Sequence, residues 1–115
     1  MTDDTTARAT LQHEDERVRV TRWDFEPGTR TGHHRHALAY VVVPVVDGTI
    51  SAFAADGTVT ESALRAGVSY ARPAGGEHDV VNTGDAWLSF VEIEIKTDDE
   101  QAPVVQTDHG RTPAV

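Results

Sequence analysis

The chain has 115 residues and no cysteine, and its nineteen Asp and Glu against ten Lys and Arg give a net charge of −9. One domain of this size can bury a core without disulfides, and the lack of thiols removes thiolate metal ligands and a cysteine nucleophile while fitting a reducing cytoplasm, where we expect the protein. The negative charge repels phosphate backbones and anionic headgroups, residues 1–16 lack the basic-then-apolar order of a secretory signal, and no apolar run is long enough to cross a bilayer, so neither nucleic acid nor membrane is an expected partner.

Residues 1–16 are rich in Thr, Asp and Glu, and their few large apolar groups offset little of the entropy of ordering. They are expected as a flexible acidic arm, with pairing as an edge strand or wrapping of a neighbouring subunit as the alternatives. Residues 17–96 are the expected folded unit. Val18, Val20, Trp23 and Phe25 lead into a Pro27-Gly28 turn, and Tyr40-Val41-Val42-Val43 is a β-branched run of strand length. Turn signals at Asp47-Gly48, Asp56-Gly57, Ala66-Gly67, Pro73 to Gly76 and Thr83-Gly84-Asp85 cut the chain into many short strands, and no segment carries a clear helical period. This rhythm predicts an all-β sandwich or barrel. The last strand, Leu88 to Lys96, alternates Val91, Ile93 and Ile95 with Glu92, Glu94 and Lys96, so the apolar set is expected to be buried and the charged set wet. Residues 97–115 read as a flexible polar tail.

Six histidines invite a metal hypothesis, and their placement decides between them. On a strand, His34 and His36 point to one face roughly 6 to 7 Å apart along the chain, so their imidazoles can converge on one ion; His33 has the opposite parity and should face away. His13 and His109 lie in the polar arms. From Gly67 the chain reads Gly-Val-Ser-Tyr-Ala-Arg-Pro-Ala-Gly-Gly-Glu-His-Asp-Val-Val-Asn, placing Gly67, Pro73, Gly75, His78 and Asn82 at fixed intervals. All five match the second cupin motif, G(X)5PXG(X)2H(X)3N, a coincidence on the order of one in ten million per starting position. Gly28, His34 and His36, with Gly48 at the longer spacing, match the first motif, G(X)5HXH(X)3,4E(X)6G.

The chain thus resembles the small single-domain cupins. That resemblance implies a double-stranded β-helix, or jelly-roll barrel, in which His34, His36 and His78 hold one divalent transition metal, iron first, with zinc, nickel, copper and manganese as alternatives. Where cupins usually place a metal-binding Glu, this chain has Tyr40 or Val41. The resemblance therefore implies a three-histidine centre, unless Tyr40 binds as a phenolate, which a tyrosine pKa near 10 makes costly at neutral pH. Three-histidine cupins include dioxygenases. The expected function is a metal-dependent dioxygenase acting on a small organic molecule. The alternatives are an isomerase or decarboxylase that uses the ion as a Lewis acid, and a non-catalytic metal- or ligand-binding cupin. A homodimer is also expected, since small cupins commonly pair edge strands.

A narrower similarity, to cupins described as beta-alanine degradation proteins, rests on Trp23 to Gly28, Thr31 to His36, Tyr40 to Pro44, Ser69-Tyr70, Arg72 to Gly75 and Phe90 to Glu94. Tyr40, which shares parity with the ligands, and Arg72, which precedes the bend and can meet a substrate carboxylate, are the expected catalytic residues. Arg35 is expected at the surface. Glu77 and Asp79 flank His78 as solvated loop carboxylates or as partners that orient an imidazole. Trp23, Phe25, Phe53, Trp87 and Phe90 are expected in the core or the pocket wall.

Overall fold

The computed structural model describes residues 5–96, so the tail expected over 97–115 lies outside the described residues. Among them are nine strands and no helix: β1 (Arg8–Glu14), β2 (Val18–Phe25), β3 (His34–Arg35), β4 (Tyr40–Pro44), β5 (Gly48–Ala54), β6 (Val59–Leu64), β7 (Tyr70–Arg72), β8 (Glu77–Val81) and β9 (Leu88–Ile95). With no helix, none is long and apolar enough to cross a membrane. The strands form two antiparallel sheets, one in the order β1-β2-β9-β4-β7 and one in the order β3-β8-β5-β6. This is the all-β architecture expected from the turn rhythm, in the jelly-roll form that the resemblance implies.

Alternation within each strand fills the space between the sheets. In β4, Tyr40, Val42 and Pro44 are buried while Val41 and Val43 face outward and stay half-buried. Phe25, Val42, Leu88 and Phe90 from one sheet meet Ile50, Leu64 and Val80 from the other in a single core, with the Phe25 and Phe90 rings 5.5 Å apart. Gly48 admits a close approach of the sheets: a Cβ there would run into the Leu88 side chain. Asn82 is fully buried and closes its turn as the motif implies. Its amide donates to the Phe25 and Ala86 carbonyls, and its side-chain oxygen accepts from the Gly84 N–H. Gly67 and Gly75 take φ of 78° and 106°, a region open to glycine at little cost.

Three expectations are corrected. The acidic arm 1–16 is in part a strand: Arg8–Glu14 pairs along β2 from Arg8↔Asp24 to Glu14↔Arg19, with a bulge between Leu11 and His13. Every side chain of β1 is exposed, so the strand is held by its backbone ladder and by ion pairs of Glu14 with Arg19 and Lys96, interactions that leave no hydrophobic pattern to read. The faces of β9 are also the reverse of the expectation. Phe90 belongs to the core, and parity then turns Glu92 and Glu94 inward, opposite Val42 and Tyr40 of β4. Val91, Ile93 and Ile95 lie on the outer face beside Val18 and Val20 of β2 and Val41 and Val43 of β4, all half-buried. Finally, Trp87 is 36% exposed on a turn rather than in the core, and Phe53 sits half-buried.

Candidate metal centre

The two motifs meet across one ladder. β3 pairs with β8 so that His34 lies opposite His78 and Arg35 opposite Glu77. The pairing continues past β3: the His36 N–H donates to the Gly76 carbonyl at 2.8 Å, and the Gly75 N–H donates to the His36 carbonyl at 2.7 Å. The Pro73–Gly76 bend thus positions His36 as well as His78. His34, His36 and His78 are the residues among those described whose ligand atoms gather closely enough to hold a metal ion.

Their geometry fits a cation. The Nε2 atoms of His34 and His36 are 3.1 Å apart, and those of His36 and His78 are 3.0 Å apart. One ring nitrogen has a single in-plane site, a proton or a lone pair, so His36 Nε2 cannot serve two neighbours as a hydrogen-bond partner. Three lone pairs aimed at one point explain both contacts. Donors on an ion with bonds of about 2.1 Å lie about 3.0 Å apart at right angles and about 3.4 Å apart at the tetrahedral angle, so the observed spacing suits the more open coordination sphere. His36 and His78 are only 5% and 7% exposed, and burial, joined by the His34 and Arg72 charges, pulls both down to about 4, which keeps them neutral and able to ligate.

A chain of hydrogen bonds fixes the His34 tautomer. His34 Nδ1 donates to the Gly32 carbonyl at 2.8 Å, leaving Nε2 with its lone pair. The Gly32 N–H in turn donates to Asp79 Oδ1 at 3.0 Å, and Arg30 Nε donates to Asp79 Oδ2 at 2.8 Å. Of the two flanking carboxylates, Asp79 is therefore the one that orients a ligand; Glu77 meets the exposed His33 at 3.4 Å, on the side away from the centre. Asp79→Ala is expected to weaken metal binding by about 10- to 100-fold, read by chelator competition on the folded variant. Unchanged affinity would show that Thr31, whose Oγ1 accepts from the Val80 N–H, holds this loop by itself.

Tyr40 and Arg72 face each other across β4 and β7 on the inner face. The Tyr40 ring stacks on His36 with centroids 3.9 Å apart and a 20° tilt, so it packs against a ligand's face. Burial and then the Glu92 charge push its hydroxyl up to about 12 against the pull of Arg72, which also hydrogen-bonds it; Tyr40 is thus held as a neutral phenol. Arg35 is exposed, as expected. The sequence reading missed Glu92, Glu94 and Tyr70 as inner-wall groups. Glu92 is pushed up to about 7 by burial and by Glu94, with the Trp23 indole opposing. The one signal that would have found the two carboxylates is Phe90, since an aromatic that must enter the core fixes the parity of Glu92 and Glu94.

Comparison with known proteins agrees with this fold. A family model described as "Cupin domain" matches residues 21–94. The beta-alanine degradation protein BauB of Pseudomonas aeruginosa is 46% identical over 87 residues, covering 76% of this chain and 90% of that one. A crystal structure of a cupin domain from Bordetella pertussis superposes with a TM-score of 0.78 at 46% identity, over 84% of this chain and 100% of the other. A Klebsiella pneumoniae protein with a double-stranded β-helix domain shares the fold alone, at 20% identity and a TM-score of 0.67 over 85% and 84% of the two chains.

Proposed function

Because the chain belongs to the cupin family, we propose that it is a metal-dependent dioxygenase acting on a small organic acid, with iron held by His34, His36 and His78. The observation that carries this reading is the convergence of three neutral imidazoles, without a carboxylate ligand, beside a wall bearing Tyr40 and Arg72. A divalent ion bound by three imidazoles would keep positions open for an organic substrate and O2 and relay electrons from the substrate, which is oxidised, to O2. The chain's own residues do the rest. Arg72 offers a planar pair of donors to a substrate carboxylate. Tyr40, kept protonated at Oη, donates a hydrogen bond to a substrate oxygen and stands ready to pass its proton. The Pseudomonas relative's name ties that protein to breakdown of a small molecule, which supports a substrate of similar size.

Oxygen uptake by iron-loaded protein with a panel of short carboxylic acids tests the proposal. Tyr40→Phe is expected to keep the wild-type metal content and to lower turnover by roughly 10²-fold. Loss of metal instead would make the tyrosine a ligand, and turnover under strict anaerobiosis would replace the dioxygenase by Lewis-acid chemistry.

We also propose a homodimer. The outer row of Val18, Val20, Val41, Val43, Val91, Ile93 and Ile95 supports it, being apolar and half-exposed in a single chain. Light scattering at micromolar concentration should give twice the chain mass, and Ile93→Lys, at the centre of that row, should give the single mass.

A further inference from the structure

The ladder that joins the two motif segments contains an irregularity. Arg30 pairs with Val81 and His34 with His78, so four steps of chain on one side run against three on the other. The extra residue makes a bulge over residues 31–33, and Gly32 takes a φ of 88° within it. The Thr31 N–H still reaches the Val80 carbonyl at 2.9 Å, but the Gly32 N–H turns to the Asp79 side chain. Had the register at Arg30 run on unbroken, His33 would stand opposite His78, and His34 would point out of the barrel. The bulge thus decides which of two adjacent histidines reaches the centre.

The upstream end of the bulge is pinned from both sides. On one side it meets β8 and the turn beyond, where the Asn82 N–H donates to the Thr29 carbonyl at 2.9 Å. On the other it meets residues 5–7. The Ala7 N–H donates to the Arg30 carbonyl at 2.8 Å and the Arg30 N–H to the Thr5 carbonyl at 2.9 Å, which makes a parallel bridge between Thr6 and Arg30. From Arg30 the contacts lead on to the centre: its side chain holds Asp79, Asp79 holds the Gly32 N–H, and the Gly32 carbonyl holds His34. Arg8, the next residue along the segment, already pairs with Asp24 in the other sheet, so the segment crosses from one sheet edge to the other. Its seat is slight. Ala7 enters the core cluster by a single methyl, Thr5 and Thr6 are exposed, and a groove of about 330 Å³ runs alongside, lined in part by Asp24, Glu26 and Thr29. A segment with so little buried apolar surface opens at a lower free energy than the barrel.

We propose that residues 5–7 are a strap that pins the bulge and so sets how tightly the centre holds its ion. Docked, the strap keeps His34 turned inward; released, it lets the ion go. The proposal rests on the reading of His34, His36 and His78 as ligands. Arg30 is then a positioning residue, which acts on the centre through Asp79 and Gly32 without touching it. The coupling runs in both directions. If docking of the strap tightens metal binding, bound metal must tighten docking of the strap by the same factor. The start of the chain thereby controls the loading of a site it never reaches.

Backbone amide exchange followed by NMR, with and without zinc, tests this on the unaltered chain. Zinc is expected to slow exchange of the Ala7 and Arg30 amides at least about tenfold, the lower end of what groups behind metal ligands contribute to affinity. The amides of β6, at the far edge of the sheet that carries His34 and His78, should keep their rates and so exclude a general gain in stability. A strap that only helped to hold the barrel together would show no such selective response. Ala7→Pro, which deletes the N–H donated to Arg30, should raise the zinc dissociation constant by the same factor in chelator competition. In metal-free protein the same variant should speed exchange of the Gly32 amide and spare β6. Equal Ala7 and Arg30 rates with and without zinc overturn the proposal whether or not the variant folds, and so does wild-type zinc affinity in a folded Ala7→Pro protein. The two readings fail separately. A chain that takes up no divalent ion refutes the metal centre, and the pinning of the bulge is then decided by the Gly32 amide of the metal-free variant: faster exchange sustains it, and an unchanged rate overturns it.

Discussion

Alanine at His34, His36 or His78 is expected to take the protein from about one bound metal ion per chain to nearly none, while His13→Ala and His33→Ala leave the content unchanged. Loss of one ligand from three leaves a pair of imidazoles, and these sites draw their affinity from the simultaneous fit of all donors. His36 should be the most damaging position, because its Nε2 is the atom in contact with both of the others. His33 is the stringent control: it adjoins His34 in sequence yet is turned to the outside, where it meets Glu77. Elemental analysis of the five purified variants decides the matter. Retention of metal by any of the three barrel variants would break the assignment, as would loss from His33→Ala.

Glu92→Gln should stabilise the metal-free protein at pH 8 by on the order of 1 to 3 kcal/mol and give no gain at pH 4.5. Burial raises the folded-state pKa of this carboxyl from 4.5 to about 7. Between those two values the folded chain therefore binds more protons than the unfolded one. Stability then falls as the pH rises through that window, and above it the folded state carries the full cost of an unpaired, partly buried charge. Glutamine never carries that charge. The two buried imidazoles have the opposite slope, since their folded-state values are lowered and acid favours the unfolded chain, but they are common to both proteins and cancel in the difference. Urea midpoints at the two pH values give the result. An equal effect at both would place Glu92 in water, as the strand alternation alone had implied.

That misreading marks the boundary of what the residues reveal in one dimension. Gly67, Pro73, Gly75, His78 and Asn82 disclose the fold and a ligand because each does a local job, turning or capping the chain, that few other residue types can do. The His34–His36 pair is readable for a similar reason: its parity needs only an extended backbone. The faces of β9 are not. Alternation shows that Val91, Ile93 and Ile95 differ in environment from Glu92 and Glu94, but it does not say which set is inside, and the usual rule fails where a barrel interior holds a polar site. Phe90 is the one aromatic of the strand, its type argues the other way, and its pairing with Trp23 and burial beside Phe25 settle the direction. β1 is hidden for another reason. Its order comes from main-chain hydrogen bonds to β2, and any sequence without proline at the wrong place can make those.

The edge position of β3 has a kinetic consequence. Among the described residues this two-residue strand hydrogen-bonds to β8 and has no partner strand on its other side, yet two of the three histidines lie on it or just after it, while His78 sits on an interior strand. Peeling of β3 and the short run after it would release His34 and His36 together and leave the core of Phe25, Ile50 and Phe90 intact. Openings of that kind require far less free energy than unfolding of the whole domain. A bound ion would then act as a clasp on a free sheet edge, and its exchange with the medium is expected to proceed by fraying of this one segment. A chelator should accordingly strip the metal at a rate that mild urea barely alters, long before the barrel itself begins to melt.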